Sequence, residues 1–392
     1  MEYRLLFAYE VIKVIYSPFK AFKEIVQNPR YLGPVMVMIL FVAAYTGFSY
    51  VATSKLYDEQ TLPSALASER DEWTENRTLW ASNVSVPVES DDCLSGGWYG
   101  NKSIEFSIVD DRQIWMQLDP AEPINCSGSD GYKKMSFRIK MIYPNTTELD
   151  EASLYLFSGQ ADYFYCNLIE QFASLNKSVW NNLTVTIGPE SGWVEKGVPD
   201  WSEVTSLGFR FMWSEDADLT VRIDGLFFRG VFKPIIENVP MSVFNYSVGA
   251  FMQFTVKWVF LSGLLYIMIR AFGAKTSWRP LLILVGFVLI TIFIQAAINA
   301  VAFSTLPIIY RPLELVGGVG GEFEAAYNNF LGEIWLVDQI YRYVQIAVLV
   351  WTIALCSIAT RELAEFSWTK SFLVSVVAYF VSMMAENFIF GL

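Results

Sequence analysis

The sequence predicts a membrane α-helical bundle of five transmembrane helices, with an extracellular all-β jelly-roll or β-sandwich domain inserted between helices one and two. Three observations predict it. Apolar residues make up 53 % of the 392 and are segregated into five long stretches. Between the first and second stretch the pattern changes to period-two alternation, broken by Gly, Pro, Asp and Ser. All eight Asn-x-Ser/Thr sequons of the chain fall in that same interval.

The five stretches are 31–51, 248–270, 281–303, 334–359 and 371–391. Each is long enough to cross about 30 Å of hydrocarbon at about 1.5 Å per residue. The first lies late and is long for a cleaved signal peptide, so it reads as a retained signal-anchor. Basic residues set the orientation. Arg4, Lys13, Lys20, Lys23 and Arg30 precede span one; Arg270, Lys275 and Arg279 separate spans two and three; Arg361 and Lys370 separate four and five. The long loop 304–333 on the other side holds Arg311 against Glu314, Glu322, Glu324 and Glu333. A multi-pass cell-membrane protein is expected, with its N-terminus cytoplasmic and its large domain and C-terminus extracellular.

The sequons begin at Asn76, Asn83, Asn101, Asn125, Asn145, Asn176, Asn182 and Asn245. The five asparagines outside the interval form none. Such one-sidedness predicts N-linked glycans on one side of a membrane and agrees with the basic flanks. The acidity is one-sided too. Between Ala52 and Ser247 there are 29 acidic and 15 basic side chains, while the whole chain has a net charge of −12. An acidic exterior argues against nucleic acid or anionic lipid as the outer partner, and a simple solvated surface explains it. Of the four cysteines, Cys356 lies within span four; Cys93 and Cys126 sit in turn-rich stretches and are expected to form a disulfide, with Cys166 buried as a small hydrophobe.

The segment before span one reads as two short amphipathic helices. Leu5, Leu6, Val11, Ile12 and Ile15 suggest one apolar face. Ser17–Pro18 is a start signal and Asn28–Pro29 a stop, with Phe19, Phe22, Ile25 and Val26 on one face of the second helix. They are expected either in the interface, lysines towards headgroups, or packed beneath the bundle. The domain plan is therefore 1–30 interfacial helices, 31–51 span one, 52–96 a helical or loop connector, 97–230 the jelly roll, 231–247 a return linker and 248–392 the four remaining spans.

The run SPFKAFKEIVQNPRYLGPV, with its Pro–Phe start and Asn–Pro stop, resembles the entry of Yip-domain proteins. The tail RELAEFSWTKSFLVSVVAYFVS is similar to their last loop and span. The resemblance covers about 1–51 and 248–392 and implies five spans with the termini on opposite sides. Eukaryotic members are associated with Rab GTPases and vesicle traffic. This chain lacks their acidic–aromatic Gly-Pro signature and carries a large domain where they have a short loop, so a prokaryotic, archaeal member is expected.

Polar residues inside the spans raise a question of function. Gln253 and Lys257 in span two, Gln295 and Asn299 in span three, Asp338, Gln339, Arg342 and Gln345 in span four, and Glu386 and Asn387 in span five fall at similar depth. They are expected either to form an outward-open cavity for an ion or small solute, or to tie the bundle together through Lys257–Glu386 and Asp338–Arg342. With no histidine in the chain, the usual proton-relay side chain is missing. The glycines 317, 318, 320 and 321 follow no strand and make no phosphate loop; a re-entrant or capping loop is expected there.

In the inserted domain, eight runs read as strands: IEFSIVD, QIWMQLD, KMSFRIKMI, ASLYLFS, DYFYCNLIEQF, SVWNNLTVTI, LGFRFMW and LTVRIDGLFF. Alternation turns Ile114, Met116, Leu118, Phe137, Ile139, Met141, Leu183, Val185, Ile187, Phe209, Phe211, Trp213, Val221 and Ile223 inward. Its closing part, with Trp193, Trp201, Phe209 and Asp224, resembles galactose-binding-like jelly rolls and carbohydrate-binding modules. That resemblance implies the fold, and it implies a structural calcium at Asp224, against which stands a strand-end hydrogen bond. Sugar binding needs exposed aromatic platforms beside polar groups. By parity Trp115, flanked by Gln113 and Gln117, points outward, as do Tyr155, Tyr163, Tyr165, Arg138, Arg210 and Arg222; they are equally read as exposed β-formers. Without histidine, Ser–His and Cys–His pairs are impossible, and no zinc spacing occurs, so no catalytic set is expected. The expected role is non-enzymatic glycan or surface-protein binding; a solute pathway and an accessory subunit of a larger complex are the alternatives.

Overall fold

The structure, a computed structural model, describes residues 6–391 apart from 65–70, 85, 95, 97–98, 121 and 145–147. The expectations at Arg4, Leu5 and Asn145 lie outside the described residues. The chain divides into two compact units: Met1–Leu56, Pro234–Ile309 and Gly332–Leu392 form one, Tyr57–Lys233 with Tyr310–Leu331 the other.

The first unit holds, apart from residues 322–331 of the fourth, helices long and apolar enough to cross a membrane: Leu32–Ser54, Val239–Ala271, Trp278–Ser304, Glu322–Ala364 and Trp368–Ile389. All five expected spans are present, several of them longer than their apolar stretch. The second starts at Val239 because the Asn238 side chain accepts from the Met241 N–H (3.1 Å) and Pro240 occupies the first turn. Residues 231–247 are therefore no linker: they are a strand end reaching Pro234 and two turns of helix. Leu281, Ile283, Leu284, Phe287 and Val288 of span three are buried in the core of this unit. Spans one and three meet through Gly33, where a Cβ would lie 1.9 Å from the Phe287 ring.

Two short helices, Leu6–Tyr16 and Pro18–Gln27, precede span one. Val11, Val14, Phe22 and Ile25 are buried in the bundle core, and Lys13 Nζ donates to Glu24 at 2.6 Å. Ile12, Ile15 and Phe19 are exposed instead, so the face expected from sequence is split between the bundle and the outside.

The second unit is built on eleven strands: β1 (Leu56–Leu62), β2 (Trp80–Ser82), β3 (Val88–Ser90), β4 (Ser103–Leu118), β5 (Lys134–Tyr143), β6 (Leu149–Phe157), β7 (Tyr163–Asn167), β8 (Asn181–Thr186), β9 (Val194–Lys196), β10 (Ser206–Pro234) and β11 (Ile309–Arg311). The first two expected strands fuse into β4, and the last two into β10. These long strands pair antiparallel along their length with register shifts between Met212 and Leu219, near Asp110 at φ +55°. The bend lets both serve two layers. The first layer contains β2, the end of β4, the start of β10, β6, β7 and β9; the second contains β3, the start of β4, the end of β10, β5 and β8. Between them lies one core in which Phe137 meets Phe209 at 4.9 Å. Every residue expected inward is buried except Met141, which is half-buried.

The stretch 52–96 is more than a connector. It supplies β1, β2 and β3, and Trp73, Trp80 and Val84 belong to the core, so the domain is wider than 97–230. Tyr310–Leu331 belongs to the same unit and caps it through Leu313, Val316 and Val319, which favours the capping reading of the glycine-rich loop.

Candidate binding sites

The register brings the outward aromatics of the first layer together. Trp115 on β4 lies opposite Arg210 on β10, and Arg210 opposite Ser153 on β6. Two residues along, Gln117, Gly208, Tyr155 and Tyr165 line up across four strands. Phe157 pairs with Tyr163. The rings of Tyr155, Phe157, Tyr163 and Tyr165 form one cluster, with Tyr155 5.3 Å from Tyr165 and 5.6 Å from Tyr163. All are half-buried. Polar groups are interleaved: Arg210 Nε donates to Gln113 Oε1 (3.2 Å), Gln117 Nε2 to Asp119 Oδ1 (2.9 Å), and the Ser153 hydroxyl to Glu151 Oε1 (2.8 Å). At Gly208 a Cβ would come 3.3 Å from the Phe157 ring, so glycine leaves a flat place beside the rings. Sequence reasoning found Trp115, Tyr155, Tyr163 and Tyr165 but had no means to put them on one face, and it missed Phe157.

The outer side of the second layer is different. Arg138, expected outward, is 2 % exposed. Tyr99, Leu94, Phe227 and Leu313 form a small apolar cluster over this side. Arg138 Nη2 donates to Glu322 (2.6 Å) and the guanidinium Cζ sits 5.5 Å from the Tyr99 ring, while Nε and Nη1 have no partner among the described residues. Arg229 donates to both Glu59 and Glu314 at 2.7 Å, and Arg311 to Asp58 at 2.6 Å. Burial would raise the Glu314 carboxyl, but Arg229 outweighs it and holds that group below its usual range.

Asp224 is also on this side and 1 % exposed. Its Oδ2 accepts from the Leu94 N–H and its Oδ1 from the Gly225 N–H, both at 2.7 Å. These bonds tie strand end to loop, the alternative to a calcium ion weighed from the sequence, and among the described residues no group of three or more His, Cys, Asp or Glu is placed to hold a metal. Burial pushes Asp224 up to about 6, and burial together with the Asp224 charge raises Asp71 well above its usual range.

All four cysteines are free, so the expected Cys93–Cys126 bridge is absent. Cys126 is fully buried in the sandwich core, which pushes its thiol up to about 12, whereas Cys166 is only half-buried. Cys126 therefore takes the buried place expected of Cys166, its N–H tied to the Trp201 carbonyl (2.7 Å) inside the core. Of the described sequons, Asn83, Asn101, Asn125, Asn176, Asn182 and Asn245 are exposed and Asn76 half-buried. Asn76 and Asn125 form Asx turns, their Oδ1 accepting from the hydroxyls of Thr78 (2.7 Å) and Ser127 (3.0 Å). Asn245 lies on the helix of span two.

In the bundle, Gln253, Lys257, Gln295, Asn299, Gln345, Glu386 and Asn387 line one cavity of about 510 Å³, so four spans do contribute polar groups to one place. Lys257 and Glu386 pair at 2.9 Å, and Ser382 donates to the other Glu386 oxygen at 3.0 Å. Asp338 and Arg342 pair at 2.8 Å but do not line the cavity, and the Arg342 side chain is 65 % exposed. That pair is therefore not a buried tie. Phe41, Tyr45 and Phe48 of span one, with Tyr341 and Tyr379, complete the walls, and none of these five was anticipated. Spaced about one helical turn apart, the first three share a face of their helix, a pattern hidden in an apolar stretch.

No curated protein matches the chain. Among solved structures it is similar to a family 11 carbohydrate-binding module from Clostridium thermocellum, at 14 % identity over 43 % of this chain and 94 % of that one, TM-score 0.27. A second is a non-crystalline-cellulose-specific carbohydrate-binding module, CBM28, at 11 % identity over 40 % and 89 %, TM-score 0.24. A third is a xylan-binding domain from CBM 22, at 13 % over 40 % and 88 %, TM-score 0.23. The sandwich itself is established by the strand pairing above. The family model of the Yip1 domain matches residues 217–385, which leaves the run from Ser17 to Val35 outside and includes the tail from Arg361 to Ser382. The chain thus matches the Yip1-domain model from the end of β10 through its later membrane-length helices, and combines those helices with an antiparallel β-sandwich.

Proposed function

We propose that this is a non-enzymatic membrane protein whose β-sandwich binds glycans on the outer face of its first layer. The observation that carries the reading is the placement on one face of Trp115 from β4, Tyr155 from β6 and Tyr163 and Tyr165 from β7, with Arg210 of the intervening β10 and Gln113 and Gln117 of β4 among them. Sugar rings stack C–H faces on aromatic faces and satisfy their hydroxyls with amides and guanidinium groups. Four strands at about 4.8 Å spacing give a platform about 15 Å across, suited to a short oligosaccharide. The sandwich is extracellular in this reading and carries N-linked glycans of its own at exposed sequons, which agrees with the basic residues beside the spans. Glycan-array screening of the full protein in nanodiscs tests it. Binding is expected for the parent, with Trp115→Ala and Tyr165→Ala each weakening it by about tenfold, the worth of one stacked ring. An array blank for the parent would turn the reading towards a surface protein as partner.

A further inference from the structure

The membrane unit contains a site that the sandwich does not explain. Its cavity of about 510 Å³ falls in the size range of small-molecule pockets, about 300–1,000 Å³. Two features separate it from a network that merely holds helices together. Asn299 is 3 % exposed and lines the cavity, yet its Oδ1 has no hydrogen-bond partner among the described residues. A buried amide oxygen left unpaired is costly, and a closed network would have paired it. The space is also open at one edge: Gln345 and Asn387 are lining residues and are exposed.

The lining chemistry selects the ligand. Lys257 and Glu386 are the charged lining residues, and they neutralise each other at 2.9 Å. An ion entering the cavity would meet no uncompensated opposite charge, while giving up its hydration. The remaining polar groups are mainly amides, each able both to donate and to accept. Hydroxyl groups make the same double demand. Phe41, Tyr45, Phe48 and Tyr341 add aromatic faces. We propose that this cavity binds a net-neutral, hydroxyl-rich group, a sugar or polyol that is either the headgroup of a membrane lipid or a free solute. Asn299 is the buried acceptor for one of its hydroxyls.

The test uses full-length protein in nanodiscs, with Trp115→Ala and Tyr165→Ala present throughout so that the sandwich face contributes nothing. Thermal unfolding is followed against octyl-β-glucoside below its micellar concentration, glucose, octyl sulfate and octyltrimethylammonium. The expected result is a saturable rise in Tm with octyl-β-glucoside and none with the two charged heads on the same chain. A rise with glucose as well identifies a free sugar; a rise with the glucoside alone identifies a lipid headgroup. Asn299→Leu is expected to move the half-saturating concentration up by about tenfold, the loss of one hydrogen bond to a buried group. It should leave the ligand-free Tm equal or higher, since an unpaired polar group is removed; a purely structural asparagine would lower it. Gln345→Leu, at the exposed edge, gives the same reading if Asn299→Leu does not fold. Equal shifts from all three octyl compounds, no saturable shift, or unchanged affinity in both variants would overturn the proposal. None of these outcomes depends on whether the sandwich binds glycans.

Discussion

The two outer sides of the sandwich start from the same sequence pattern and end differently. On the second layer, Ser136, Arg138 and Asp224 alternate with core residues, yet all three are at most 2 % exposed, beneath Leu94, Tyr99 and Leu313. On the first layer, Trp115, Tyr155, Tyr163 and Tyr165 alternate in the same way and remain half-exposed. What separates them is cover supplied from far along the chain, by Leu94 and Tyr99 and by residues 313–322. Under such cover Arg138 pairs with Glu322 and Asp224 with two backbone N–H groups, while the Ser136 hydroxyl has no partner among the described residues. A ring without cover is free to meet a ligand. Outward parity therefore marks two kinds of position, one structural and one available.

The covered side gives the largest expected effect. Glu322→Ala would leave Arg138 charged, buried and held only by the Tyr99 hydroxyl at 3.4 Å. Breaking a buried pair from one side costs about 3–5 kcal/mol. The sandwich should unfold correspondingly earlier in a denaturant titration followed by near-UV circular dichroism. A loss within about 0.5 kcal/mol would mean that the cover is loose and the two sides are alike.

This comparison also locates what was legible in the sequence. Nearly every residue that period-two alternation turned inward lies in the core, because a strand buried on one side repeats every two residues whatever its neighbours do, but Phe106, Leu154 and Phe164 of the same core were not among them. The spans were legible because hydrocarbon thickness fixes their length. Helix starts were less so: Asn238 and Pro240 form a start signal that lies upstream of the apolar stretch. Sites were legible only as ingredients. Trp115 and Tyr165 are 50 positions apart, and their shared face depends on β10 lying between β4 and β6. Lys257 and Glu386 could be suggested as partners by depth, but the cavity beside them needs the Phe41–Tyr45–Phe48 face of span one, which no polar residue announces. The Arg138 error has the same origin, since its cover comes from Tyr99, 39 positions earlier, and its partner Glu322 lies 184 positions later.

A second, intermediate effect is pH dependence on the covered side. Asp71 and Asp224 are both buried with raised carboxyl groups, Asp224 to about 6 against an ordinary 3.8. The folded state then holds protons that the unfolded chain has already released. The stabilisation is fully present below about pH 4 and is lost as the pH rises through about 6. Tm of the sandwich should therefore fall between about pH 4 and 6. Asp71→Asn should flatten that slope and raise Tm at pH 7.5, because it removes one of two facing charges and asparagine tolerates the φ of +57° at this position. A Tm that rises steadily across the window in the parent would show that the pair is already neutralised by another partner.

The smallest expected effect is on the open side, and it is the sharper test of the contrast. Trp115 projects from β4 between Gln113 and Gln117, with Ile114 and Met116, its chain neighbours, fully buried on the opposite side. Its removal takes away a half-exposed ring and leaves no cavity in the core, so Trp115→Ala should change stability by less than about 1 kcal/mol. Phe209→Ala provides the scale, because that ring is fully buried against Phe137 and its loss should cost about 3–5 kcal/mol. The two variants should then separate cleanly: one binds glycan about tenfold more weakly with its melting temperature nearly intact, the other melts early while its folded fraction still binds. If Trp115→Ala proved as destabilising as Phe209→Ala, the ring would be carrying the sandwich rather than presenting a platform. The first layer would then have no available side, and the glycan reading would lose the geometry on which it rests.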